Sequence, residues 1–220
     1  MWAVVPLKTA TAAKSRLSAV LDPQVRKRLY LGMAKHVVAT LESTAGIENV
    51  LVVTSDAEVA QLASHWGAQI LHQEQDTGTA DACRSAVAEM PAHVRSLLMI
   101  SGDLPLVSVA SLAPFVELSA REPLIAIAPD RHRTGTNALL CSPPHVIPVC
   151  FGPGSFAMHL AAALQRQVPV ESVESDELAL DIDTPDDLRR LRAALAAGAT
   201  QCLVEVQELL AIHDAVAERA

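Results

Sequence analysis

Residues 96–103 read "SLLMISGD", an apolar run that stops at Ser101, Gly102 and an aspartate. A run without polar alternation is expected where both faces of a strand are covered. Strands of that kind belong to open, mainly parallel sheets, whose ligands collect outside the carboxyl ends of the strands. Asp103 therefore stands where a ligand would lie. Gly102 is expected to let a bulky ligand approach the backbone, and Pro105 ends the extended stretch. Capping of the next helix, expected at about 108–120, is served better by Ser108 than by Asp103.

Working outward, "WAVVPL" (2–7), "NVLVVTS" (49–55), "QILH" (69–72) and "PLIAIAP" (123–129) read as further strands. Asp22 followed by Pro23 opens a helix to about Ser43, with Leu29, Met33, Val37 and Leu41 at helical spacing. Asp56 opens a second helix that Gly67 closes, and a third runs through Ala82, Ala86 and Met90. This β-α alternation predicts a mainly parallel sheet with helices on both sides. The rhythm breaks at 130–155, which reads as loops with a short strand at "NALLC" (137–141). Helices return at 156–166, 185–197 and 203–218, with a strand at about 168–173. A main domain over 1–200 and a helical extension over 201–220 follow. Leu203, Val206, Leu210, His213 and Val216 offer the extension an apolar face, for the domain or for the second subunit of a homodimer.

The 220 residues carry a formal charge of −8, which argues against non-specific nucleic-acid binding, since that needs a basic face. Cys83, Cys141, Cys150 and Cys202 form no C-x-x-C pair and read as small buried hydrophobes of a reduced compartment. No apolar run reaches membrane-spanning length and "MWAVVPL" is too short for a signal-peptide core, so a soluble cytoplasmic protein is expected.

"ALDIDTPDDL" (179–188) holds four aspartates in seven positions. Read as a strand, it points Asp181 and Asp183 to one face and Leu180 and Ile182 to the other. Two carboxylates on one face repel unless a cation or proton lies between them. Asp186 and Asp187 differ: Thr184 is the expected N-cap and Pro185 the first helical residue, which places both acids in the first turn. Asp103, Asp181 and Asp183 together suit a hard divalent cation, and Mg²⁺ favours few carboxylates plus phosphate oxygens. That pairing points to phosphoryl or nucleotidyl transfer.

The basic complement lies in "PLKTATAAKSRL" (6–17), where Lys8, Lys14 and Arg16 follow the first strand in a position suited to phosphates. Neither a Walker A motif nor G-x-G-x-x-G is present. "RHRTGTN" (131–137) and "FGPGSF" (151–156) form a second candidate anion site. Thr134, Thr136 and Ser155 bring hydroxyls, while Gly135, Gly152 and Gly154 allow backbone N–H groups to turn inward. Ser155 also reads as a helix N-cap, and His132 and His159 read as surface or helix residues.

"PLKTATAAKSRL", "SGDLPLV", "DRHRTGTNALL", "FGPGSF" and "LDIDTPDDL" occur in an order and spacing that resembles the 2-phospho-L-lactate guanylyltransferases of coenzyme F-420 biosynthesis. These are nucleotide-diphospho-sugar transferase-like proteins, and the resemblance spans about residues 2–192. It implies one Rossmann-like α/β domain with a mixed, mostly parallel sheet. It also implies transfer from GTP to 2-phospho-L-lactate, phosphoenolpyruvate or 3-phospho-D-glycerate, with release of pyrophosphate. By matching motif, Asp103, Asp181 and Asp183 would hold Mg²⁺ and Lys8 and Lys14 would contact phosphates. Thr136, Gly152 and Ser155 would bind the phospho-acid. Arg133 replaces the first glycine of a Gly-Thr-Gly-Thr loop, where it could add an anchor for the acid, and Asp81 stands where the family often has Asn. Two other readings stay open: a relative using another nucleotide such as CTP or another acid, and a non-catalytic binding protein that keeps the fold.

Overall fold

The computed structural model describes residues 1–11, 14–198, 206–207 and 209–210. The apolar run at 96–103 forms strand β4 (Leu97–Ile100), the middle strand of a seven-stranded sheet. Leu98 and Ile100 enter one core layer while Leu97 and Met99 enter the other, so all four side chains are buried. That double burial is why the run lacks polar alternation.

Strand β1 (Trp2–Pro6) pairs in parallel with β4 on one side and with β2 (Asn49–Thr54) on the other. Strand β3 (Gln69–His72) closes that edge. Beyond β4 lie β6 (Thr136–Ser142), β5 (Leu124–Pro129) and β7 (Val170–Ser172), giving the order β3-β2-β1-β4-β6-β5-β7. Strand β6 alone runs antiparallel to its neighbours. This is the single α/β domain with a mostly parallel mixed sheet that the motifs implied.

The helices after Asp22, Asp56, Ser108 and Thr184 begin where their caps predicted. Helix α1 (Pro23–Ser43) starts after Asp22, whose carboxylate accepts from the Gln24 and Val25 amides at 2.9 and 3.0 Å. Asp56 caps α2 (Ala57–His65), and α3 (Thr79–Glu89) follows Gly78. Ser108 caps α4 (Val109–Leu118), as the sequence favoured. Helix α5 (Ser155–Gln165) follows β6, α6 (Asp176–Ala179) follows β7, and α7 (Pro185–Ala196) follows Thr184. A third apolar cluster joins Leu29 and Met33 of α1 to Leu188 and Leu191 of α7.

Several expectations are corrected. "NALLC" is the middle of a seven-residue strand, buried throughout, and not a minor strand among loops. A short 130–135 connection returns the chain beside β5, which makes the pair antiparallel. Residues 180–184 form no strand. They alternate in burial as read, but β7 is the edge strand, and this segment leaves α6 as an extended link. Ser155 is the first residue of α5, and Gly154 in the left-handed region takes the cap position. His159 is fully buried, not at the surface, although it does lie on a helix. Cys83 and Cys141 are buried as expected, whereas Cys150 is only partly so.

Most of the 201–220 extension lies outside the described residues. Val206, Leu209 and Leu210 are buried in the cluster with Leu29 and Met33. Gly32 makes room for that contact, since a Cβ there would stand 2.9 Å from a Val206 methyl. Among the described residues no helix is long and apolar enough to cross a membrane.

Candidate active site

Three chain segments meet outside the carboxyl ends of β1 and β4 around a cavity of about 380 Å³, a size suited to a small ligand. The segments are the 6–16 loop, residues 101–103, and the 180–184 link. They bring Lys8, Lys14 and Arg16 into one space with Asp103, Asp181 and Asp183.

Lys14 joins the two charge types. Its ammonium donates to Asp103 and, at 2.9 Å, to Asp183. It sits in the left-handed region at φ 58°, a conformation an L-residue adopts at some cost and one common at functional sites. Burial alone would lower the Lys14 pKa, but the Asp103 and Asp183 charges outweigh it and hold the ammonium charged. Burial likewise pushes Asp103 up, and the Lys14 charge with hydrogen bonds from Lys14 and Ser101 brings it below the ordinary carboxylate range. Arg16 is exposed, with Nη1 3.8 Å from Asp183.

Asp181 differs from its neighbours. Burial first, and the Asp103 charge second, raise it to about 6 against a hydrogen bond from Asn137 at 3.2 Å. Among the described residues, no three His, Cys, Asp or Glu side chains converge as a formed metal cage, and the Lys14 ammonium stands between Asp103 and Asp183. The donor set still fits Mg²⁺: hard carboxylate oxygens, with Asp181 short of positive charge.

The link that carries Asp181 and Asp183 is fixed from behind by Asp187. Its buried carboxylate accepts from the backbone N–H of Asp183 at 3.2 Å and of Thr184 at 2.7 Å, and pairs with Arg131 at 2.7 Å. The predicted capping role therefore holds, and the same oxygen also sets the position of a candidate ligand. Gly102 lines the cavity where the ligand reading placed it, and a second constraint acts on it. A Cβ there would collide with the end of the Leu7 side chain and lie 3.3 Å from Val5, so the protein's own packing also favours glycine.

The second candidate group is placed elsewhere. Thr136 and Ser155 are buried on the α5 side, and neither they, Gly152 nor Arg133 line the cavity. Ala138 faces Ala128 but Thr136 faces Pro129, which leaves Asn137 as the extra residue of a β-bulge. The bulge lets Asn137 reach Asp181 while Thr136 reaches His159 at 3.1 Å. Arg133 occupies the left-handed region at φ 55°, a geometry that suits a glycine. Its guanidinium pairs with Glu174 at 2.7 Å and stacks 5.0 Å over the Phe156 ring. Asp81 pairs with Arg84 and does not line the cavity, where Thr79 does.

Sequence reasoning missed Tyr30, Asp56, Ser101, Asn137 and His159. Tyr30 lines the cavity and donates to the Lys8 carbonyl at 3.1 Å, and Asp56 accepts from the Ala10 amide at 3.0 Å, so both hold the basic loop. Ser101 donates to Asp103 at 2.6 Å. Only Ser101 and Asn137, each within two positions of an identified residue, carried a signal.

The α/β fold that holds this cavity is shared with nucleotidyl transferases of known structure. Among solved structures, a Desulfovibrio desulfuricans protein provisionally assigned as a nucleotide-diphospho-sugar transferase superposes with TM-score 0.76 at 14% identity, covering 99% of this chain and 96% of that one. A nucleotidyl transferase from Methanothermobacter gives TM-score 0.68 at 20% identity over 89% and 97%. Residues 1–196 match the family described as guanylyl transferase CofC like, and the chain belongs to that family. A phosphoenolpyruvate guanylyltransferase of Rubrobacter xylanophilus is 44% identical over 197 residues, 88% of this chain and 94% of the relative. A 3-phospho-D-glycerate guanylyltransferase of Colwellia psychrerythraea is 31% identical over 90% and 93%.

Proposed function

We propose that this enzyme joins the guanylyl group of GTP to a small phosphorylated acid, phosphoenolpyruvate or a close analogue such as 3-phospho-D-glycerate or 2-phospho-L-lactate, and releases pyrophosphate. The reaction is assigned to coenzyme F-420 biosynthesis on the family's known role. One observation carries the reading: a single cavity gathers the basic residues of the first loop opposite three carboxylates.

The acid's phosphate is already ionised near neutral pH, so its oxygen needs orientation toward the α-phosphorus rather than deprotonation. Lys8 and Arg16 at the cavity rim bind and orient the triphosphate. The Lys14 ammonium, held charged between Asp103 and Asp183, stabilises negative charge that spreads over the phosphoryl oxygens in the transition state. Asp103, Asp181 and Asp183 would hold Mg²⁺, which when bound would neutralise phosphate charge and favour the leaving pyrophosphate. Thr136, Gly152 and Ser155 are assigned to the acid on the family motif; their neighbour Asn137 reaches Asp181, while Thr136 turns the other way to His159.

Pyrophosphate release is measured with Mg²⁺ across four nucleoside triphosphates and the three acids. Turnover is expected with GTP and at least one acid. Turnover confined to CTP would refute the guanylyl assignment, and absence of both turnover and nucleotide binding would refute the enzyme reading. Asp103→Asn should abolish turnover while circular dichroism remains that of the folded protein; full activity would remove Asp103 from the mechanism.

A further inference from the structure

We propose that His159 is a positioning residue for the phospho-acid, holding Thr136 and the Cys150–Gly154 loop so that the Thr136 hydroxyl donates its hydrogen to the substrate anion. The inference rests on the assignment of Thr136 to the acid and goes beyond it by identifying what orients that hydroxyl.

His159 is fully buried on α5 and bridges two segments that sequence alone does not connect. Its Nε2 accepts from the backbone N–H of Cys150 at 3.0 Å, and its Nδ1 lies 3.1 Å from Thr136 Oγ1. A backbone N–H can only donate, so Nε2 carries no hydrogen and the neutral ring's hydrogen is on Nδ1. Thr136 Oγ1 therefore accepts from His159. It also accepts from the Ser155 hydroxyl at 3.3 Å. With both acceptor positions taken, the Thr136 hydrogen is left to donate, which is the polarity an anionic oxygen requires. Burial lowers the His159 pKa to about 4, which keeps the ring in this neutral form at working pH.

The ring also fixes the loop. Phe151 meets it edge-on with centroids 5.2 Å apart, and Cys150 is tied to Nε2. Gly152 follows immediately, with its backbone in the left-handed half at φ 127°. The Phe156 amide donates to the Thr134 carbonyl at 3.3 Å, joining the start of α5 to the threonine loop. One buried imidazole thus sets the spacing between Thr136 and the Gly152–Ser155 turn, the residues assigned to the acid.

The test uses initial rates with phosphoenolpyruvate and GTP varied separately. His159→Leu removes both hydrogen bonds and should raise KM for phosphoenolpyruvate about tenfold or more, the cost of misplacing a hydrogen bond to a charged group. KM for GTP should change less than about threefold, since His159 does not line the cavity. His159→Asn, whose amide N–H stands near the Nδ1 position, should recover much of the phosphoenolpyruvate KM without the Cys150 bond, and it serves as the folded variant if leucine is not tolerated. A merely structural role predicts lower thermal stability and less active protein with both KM values unchanged, and that result would overturn the inference. Thr136→Val separates the two levels. If it raises the phosphoenolpyruvate KM while His159→Leu does not, the inference alone fails; if it leaves that KM unchanged, the assignment of Thr136 fails and the inference with it.

Discussion

Acidifying the protein from pH 7 to pH 5 should remove about 2 kcal/mol of stability through His159 alone. The ring is enclosed, its Nε2 already accepts from a backbone amide, and a second N–H at that nitrogen would face another donor. Its pKa is about 4 in the folded protein against 6.5 for a free histidine. The folded state therefore takes up the proton later than the unfolded one, and stability falls with pH through the window from 6.5 to 4. The full loss over that window is about 3 kcal/mol, of which about 2 kcal/mol has accrued at pH 5. Asp181, raised to about 6, acts with the opposite sign: its folded form takes up a proton more readily, so acidification gains stability there. His36, also depressed by burial, adds to the His159 direction. Comparison with His159→Leu isolates the one contribution. Urea unfolding followed by circular dichroism at pH 7, 6 and 5 should give a stability difference between wild type and His159→Leu that shrinks by about 2 kcal/mol at the acid end. A constant difference, or an NMR titration of His159 near 6.5, would refute the argument.

Lys14→Met should lower kcat about 100-fold or more, measured by pyrophosphate release, because it removes the one charge aimed between Asp103 and Asp183. Without that ammonium the Asp103 pKa should rise above its unfolded value, so the variant's stability deficit should grow as pH rises; a pH-independent deficit in urea titrations would count against the pairing. Gly102→Ala should cost about 1–3 kcal/mol in thermal or urea unfolding, since the new methyl must displace buried Leu7. Leu7 also lines the cavity, so KM for GTP should rise in the same variant. Asp187→Ala should destabilise by about 3 kcal/mol by leaving the Asp183 and Thr184 amides without their acceptor and Arg131 with Asp186 as its remaining partner. Its kcat should fall although Asp187 does not line the cavity; an unchanged kcat would show that the link holds Asp183 without it.

The candidate site was legible where residues close in sequence do related work. "SGD" puts Asp103 just past a strand end, and Thr184, Pro185 and Asp187 carry their helix start on their face. The direct grip of Lys14 on Asp103 was not legible, since 89 positions separate them and nothing local marks the contact. Tyr30 and Asp56 were missed for the same reason: one lies inside a regular helix and the other reads fully as a helix cap. Asp181 and Asp183 were read correctly as sharing a face but wrongly as a strand. Alternating burial depends on what covers a segment, and backbone pairing depends on an open sheet edge that the sequence does not display.

By itself the sequence determined most of the secondary elements, the helix starts at Asp22, Asp56, Ser108 and Thr184, the doubly covered central strand, and the separation of Asp181 and Asp183 from Asp186 and Asp187. These follow from hydrophobic period and from hydrogen bonds spanning three or four residues. Only the tertiary structure decided that β6 enters the sheet antiparallel, that a bulge at Asn137 turns Thr136 toward α5, and that Leu7 packs where a Gly102 side chain would stand. It also turned His159 from an ordinary helix residue into a buried bridge. Each of these rests on which distant surfaces come into contact, and that choice is made by the packing of the whole domain, not by any stretch of chain alone.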